Sequence, residues 1–184
     1  MMVRRWLFLA AALGLSSAAL SANVVVPAEF KEIVADASLI VRGRVTDVRG
    51  VVTADRVTES IATIAVDRVL KGTASAFVSV LVPGGTIGRY RTMVVGAPVL
   101  KPGQQAVFFL KRDGRNNLRP VGLSMGIFQV RADEATGAAV VNPPISSGQT
   151  ADVGPIVRGD ARRKPMAVPS FESLVSVEIG RAHV

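Results

Sequence analysis

Residues 82–110 read VPGGTIGRYRTMVVGAPVLKPGQQAVFFL. Two turn signals, Pro83-Gly84-Gly85 and Lys101-Pro102-Gly103, punctuate this stretch, and apolar runs lie on either side of the pair. Glycine supplies the positive φ that tight turns need, and proline presets φ near about −65°. The stretch therefore predicts a strand, a turn, an irregular excursion, a second turn and a second strand.

Working outward, the hydrophobic period identifies the neighbouring elements. Leu39, Val41, Gly43 and Val45 alternate with Ile40, Arg42, Arg44 and Thr46, a period of two that marks a strand with one mostly polar face. A polar loop is expected over 49–59 and a second strand over 60–70, ending at Lys71-Gly72. The third strand, 76–82, places Val78, Val80 and Val82 on one side and is apolar on both faces, as a central strand would be. Residues 105–111 form the fourth strong strand, bounded by the polar loop 112–117. Segments 118–121 and 127–131 follow, with a glycine-rich turn between them, and 138–141 adds a short strand. Upstream, Phe30, Ile33, Val34 and Ala37 repeat at helical spacing, so 27–37 reads as a short amphipathic helix. Pro27 suits its first turn, and Glu29 and Glu32 complement its dipole. Short strands with helices only at the ends predict a mainly β fold, a small closed or partly open antiparallel β-barrel spanning residues 27–142. Residues 143–169, rich in Ser, Gly, Pro and Arg, read as a flexible linker, and 170–178 as the capped start of a C-terminal helix.

Both ends of the chain carry separate signals. Residues 1–22 combine Arg4-Arg5, an apolar run and a tail of small residues, the pattern of a secretory signal peptide cleaved near Ala22. The apolar run is too short to span a bilayer, and no stable membrane insertion is expected after cleavage. Arg4-Arg5 invites a twin-arginine reading, but the rest of that motif matches poorly, and ordinary Sec export is preferred. The expected location is the periplasm or the medium. At the other end, Ile-Gly-Arg-Ala-His-Val (179–184) is the translation of ATC-GGA-AGA-GCA-CAC-GTC, the interior of a widely used sequencing adapter. Residues 179–184 are therefore read as an artefact, and His183, the only histidine, with them.

The 184 residues include no cysteine, which removes thiol nucleophiles, thiolate metal sites and disulfides. Without Arg4 and Arg5 the 22 Lys and Arg become 20, set against 14 Asp and Glu, for a mature net charge of +6. That charge favours loose attraction to anionic surfaces. The cations are scattered, and the only Trp, Trp6, leaves with the signal, so a nucleic-acid partner is not expected. Phe108, Phe109 and Phe128 sit in strand patterns and read as core. No cofactor or metal is expected.

Several short motifs dissolve on inspection. Gly122-Leu123-Ser124-Met125-Gly126 fits the G-x-S-x-G nucleophile elbow, but that motif needs a strand-to-helix turn and a histidine base. Strand follows here, so a glycine-rich β-turn is preferred. No Ser-x-x-Lys pair exists. Gly84-Gly85-Thr86-Ile87-Gly88 lacks the lysine and the following helix of a phosphate loop. Asp133-Glu134 would point to opposite faces of a strand or be solvated in a turn. Arg158-Gly159-Asp160 and Arg162-Arg163-Lys164 fall in the linker and read as solvated chain.

The combination DASLIVRGRV (36–45), VDRVLKG (66–72), VPGGTIG (82–88), VGAPVLKPGQ (95–104) and VFFL (107–110) resembles a group of secreted bacterial proteins, some of which carry or accompany metalloprotease domains. More distantly it is similar to the N-terminal domain of tissue inhibitors of metalloproteinases and to netrin-like modules. That resemblance implies an OB-type five-stranded barrel. The inhibitors place a disulfide-tied N-terminal cysteine over the protease zinc, and this chain has none, so no inhibitory residue carries over.

What remains is the excursion itself. Arg89, Tyr90 and Arg91 put two planar cations beside the only tyrosine, residue types favoured where proteins bind partners. The competing reading is a solvated segment covering a barrel end. The sequence thus predicts an exported, non-enzymatic binding module using Arg89, Tyr90 and Arg91. The alternative is a modulator of an extracellular metalloprotease, its partner another secreted protein, and a hydrolase comes last.

Overall fold

At Ser38 the hydrophobic period drops from that of a helix to that of a strand, and the chain changes element there. The computed structural model describes residues 29–144 and 165–182. Helix α1 (Phe30–Asp36) buries Phe30, Ile33 and Val34, and the backbone N–H of Glu29 donates to the Glu32 carboxylate at 3.0 Å. Strands β1 (Leu39–Val52), β2 (Thr58–Lys71) and β3 (Phe77–Pro83) follow as an antiparallel meander. A short hairpin, β4 (Gly85–Ile87) and β5 (Tyr90–Thr92), stands apart from the main sheet. Then come β6 (Gln105–Arg112), β7 (Leu118–Pro120), a 3₁₀ turn (Leu123–Gly126), β8 (Ile127–Ala132) and β9 (Ala139–Asn142). After the second described segment begins, β10 (Met166–Ala167) leads directly into α2 (Val168–Arg181).

Five strands close a barrel in the ring order β1-β2-β3-β7-β6 and back to β1. The second edge of β6 is shared. Its first half, Gln105–Phe108, pairs with β8, and its end, Leu110–Arg112, pairs with β7. β9 and β10 extend the β8 side as a wing outside the ring. One ring contact departs from the expected all-antiparallel barrel. β3 and β7 run parallel, through Val80 and Leu118, so the closed barrel is mixed. The connection from β3 leads into β6, which pairs antiparallel with β1, and β7 turns back from β6 into the place beside β3, so it runs in the same direction as β3.

The alternation within β1 and β6 feeds two separate cores. Leu39, Val41 and Val45 of β1 and Ala106, Phe108 and Leu110 of β6 point into the barrel, against Ile64 and Val80. Ile40 of β1 and Val107 and Phe109 of β6 point outward, where α1 and α2 cover them. A strand buried on both faces reads as a continuous apolar run, which is why 106–110 is AVFFL. Four phenylalanines from four elements lock the outer layer: Phe30, Phe109, Phe128 and Phe171, with ring centroids 5.1 to 6.4 Å apart. Each such buried ring contributes about 1.5–3 kcal/mol from water exclusion. Lys71 ties the layers together by donating to the carbonyls of Val34 (2.8 Å) and Ala35 (3.3 Å) at the C-terminus of α1, where a cation is favoured.

Four boundaries differ from the sequence expectation. The polar loop expected over 49–59 is mostly strand, because β1 and β2 stay paired from Ile40 to Val52 and from Thr58 to Lys71, past the point where burial would leave a pattern. The irregular excursion contains the β4–β5 hairpin. The turn at 122–126 closes as a 3₁₀ turn. Residues 165–169, read as the end of a linker, are ordered: Met166 and Ala167 pair with Val141 and Val140, and Pro169 sits in the first turn of α2. A two-residue strand is too short to show a period. Residues 1–22, the Arg158-Gly159-Asp160 and Arg162-Arg163-Lys164 motifs and His183 lie outside the described residues.

Candidate functional site at the barrel end

The excursion between β3 and β6 is anchored at both ends and in the middle. The Ser60 hydroxyl donates to the Gly84 carbonyl at 2.9 Å, and the Gly84 N–H donates to Thr58 at 3.1 Å. The Ser124 N–H donates to Gly96 at 3.0 Å, so the 3₁₀ turn holds the middle. At the far end the Gly103 N–H donates to Val45, and the Val45 N–H donates to Gln104, at 2.8 and 2.9 Å. A side chain at Gly85 would collide with the Ser60 hydroxyl, so the V-P-G-G turn owes its second glycine to close packing.

Beneath this anchor lies a charged brace. Glu59, on β2, is buried and receives Arg119 through two oxygens at 2.7 and 3.2 Å. Arg119 also donates to Asp113 at 2.7 Å. Asp113 further accepts the backbone N–H groups of Arg115 and Asn117, both at 2.9 Å. The Arg119 hydrogen bond, followed by that from the Asn117 backbone, holds the Asp113 carboxyl well below the usual carboxylate range. Sequence patterning gave no sign of this triad, since Glu59 on β2 lies 60 residues before Arg119 on β7 and Asp113 sits in the β6–β7 loop.

Arg89, Tyr90 and Arg91 are brought together at the hairpin, but with different roles. Gly88 has φ of 57° at the first turn position and Arg89 does not, the pattern of a type II′ hairpin. Arg89 folds back on its neighbour. Its guanidinium lies 5.0 Å from the Tyr90 ring centroid and donates to the Tyr90 hydroxyl at 2.9 Å. Arg91, by contrast, faces a cleft of about 560 Å³ between the barrel rim and the excursion. The rim side of that cleft is Val48, Gly50 and Val82, and the excursion side includes Met93, Val95 and Val99. Met93 and Val95 are 78% and 85% exposed, in a barrel whose interior valines are at most 8% exposed. Sequence reasoning placed these residues in the irregular excursion but singled out only Arg89, Tyr90 and Arg91, because a loop shows no period from which exposure of an apolar side chain could be read. A second cleft, of about 540 Å³, opens on the other side of residues 97–100, against Ser124, Gln129 and Arg131.

Ser124 occupies the 3₁₀ turn, which is followed by β8 and not by an α-helix, so the strand-to-helix context of a nucleophile elbow is missing. Among the described residues, no three His, Cys, Asp or Glu side chains cluster as metal ligands would, and no helix is long and apolar enough to cross a membrane. Compared with protein-family models and with curated proteins, the chain matches none of them.

Proposed function

We propose that this protein is an exported, non-enzymatic binding module whose ligand, a protein or a surface, docks on the excursion between β3 and β6. One observation carries the reading: an anchored segment holds Met93, Val95 and Val99 in solvent beside Arg91, where a merely structural connection would turn them inward. Export rests on residues 1–22, and the non-enzymatic reading on the missing cysteine and on the sole histidine, His183, falling within the stretch read as adapter. The test is capture from native secretions by the full, resequenced protein. An Arg89→Ala/Arg91→Ala variant of unchanged melting temperature should lose the captured ligand; retention would overturn the excursion as the binding surface. A genomic read through codons 179–184 would likewise overturn the adapter reading.

The second reading, a modulator of an extracellular metalloprotease, draws support from the ring order β1-β2-β3-β7-β6, which suits the OB-type barrel that the motif resemblance implies. A gene for a secreted metalloprotease beside this one, and altered activity of that enzyme on mixing, would favour it.

A further inference from the structure

We infer that the cleft beside β5 receives an extended, acidic segment of another protein, laid along the open edge of that strand with a carboxylate on Arg91. The inference rests on the preceding reading of the excursion as the binding surface and names its occupant. Charge is the first support. From Arg68 to Arg112 the chain holds seven Lys and Arg and no Asp or Glu. Among the described residues Arg91 is the only charged one on the cleft wall, and its side chain has no hydrogen-bond or ion-pair partner there. Carboxylates on the adjoining strands do not answer it. Glu59, whose backbone lies against Gly85, is committed to Arg119, and Asp47 alternates away from Val48 and Gly50 on β1.

Backbone chemistry is the second support. Among the described residues β5 pairs with β4 alone, in the register Ile87 to Tyr90 and Thr86 to Arg91. In a two-residue hairpin the pair beside the turn exchanges hydrogen bonds inward, so the next residue, Arg91, turns its N–H and C=O to the open edge. Three residues of strand offer about 10 Å of such edge. Added main-chain pairing, with alternate side chains entering a neighbouring pocket, is a recurrent way to hold an extended peptide. Met93, Val95 and Val99 supply the apolar contact for those side chains. A lipid surface would satisfy the cations and the apolar residues, but its headgroups do not present donors and acceptors alternating at strand spacing, so polypeptide is favoured.

The experiment titrates the full chain into fluorescent peptides in which every second residue is alternately Glu and Val with Ser between (the Val-Glu peptide), or Lys and Val with Ser between (the Val-Lys peptide), so that charged and apolar side chains share the face turned to the cleft, and into phosphatidylglycerol vesicles. The Val-Glu peptide should bind, more weakly at high salt, and N-methylation of alternate amides should abolish binding in one of the two phases. Arg91→Glu should weaken it by roughly tenfold or more and shift preference to the Val-Lys peptide, whereas Arg44→Glu, on exposed β1 surface, should not. Equal binding of both peptides, indifference to Arg91→Glu, or binding to vesicles alone would overturn the proposal. Placing p-benzoylphenylalanine at Met93 separates the two readings. Cross-linking to a secreted protein without Val-Glu binding overturns the acidic occupant but keeps the surface; failure of both overturns the surface as well.

Discussion

At the level of single residues, the buried carboxylates Glu59 and Glu172 differ in what happens when a partner is lost. Glu59 keeps only 7% of its side chain exposed, so Arg119→Ala would strand a carboxylate away from water. The expected cost is about 3–5 kcal/mol. Glu172 is equally buried, but its partners Arg42 and Arg68 remain 30% and 59% exposed. Glu172→Ala leaves two cations that water can reach, so about 1–2 kcal/mol is expected. Urea denaturation of both variants tests the order. Asp113 adds a pH dependence. Its folded-state pKa lies below the unfolded value of about 3.9, so it binds its proton more readily when unfolded. The stabilisation is therefore complete above the unfolded pKa and is lost as pH falls toward the folded one. Asp113→Asn should flatten the fall in melting temperature below about pH 4 relative to the parent.

Among the elements, α2 is the one whose role could not be inferred from its own pattern. Its Phe171 meets Phe30, Phe109 and Phe128, and Val175 is fully buried, so the helix roofs the outer face of β6 and β8. Glu172 on the same turn fixes its rotation by reaching β1 through Arg42 and β2 through Arg68. Phe171→Ala should cost about 3–5 kcal/mol, because the other three rings cannot collapse into the space without moving α1 or the sheet. A fall in the denaturation midpoint with unchanged slope would be the expected signature. An effect below about 1 kcal/mol would mean that α2 is dispensable to the fold.

For the molecule as a whole, the barrel interior and the helical layer share β1 and β6, and that sharing makes the domain cooperative. Opening either layer exposes one face of the same strands, so the amides of Val107, Phe108 and Phe109 should exchange slowest with solvent, with β4 and β5 among the fastest. Native-state hydrogen exchange reads this directly, and equal protection across the hairpin would contradict it. The barrel itself was legible from the period of two in β1, the valines of β3 and the double turn around 82–110. Arg89, Tyr90 and Arg91 could be proposed as a group from residue type and loop position alone. That Arg89 turns onto Tyr90 while Arg91 faces the cleft was not legible, since adjacent residues in a hairpin diverge only once its register exists. Local alternation of apolar and polar side chains determined strand identity, and the turn residues determined where strands stop, because both act within a few neighbours along the chain. Tertiary structure alone decided the parallel β3–β7 closure, the second core under α2 and the Glu59–Arg119–Asp113 brace. Each depends on residues far apart in sequence whose approach is set by packing, and no local period records that.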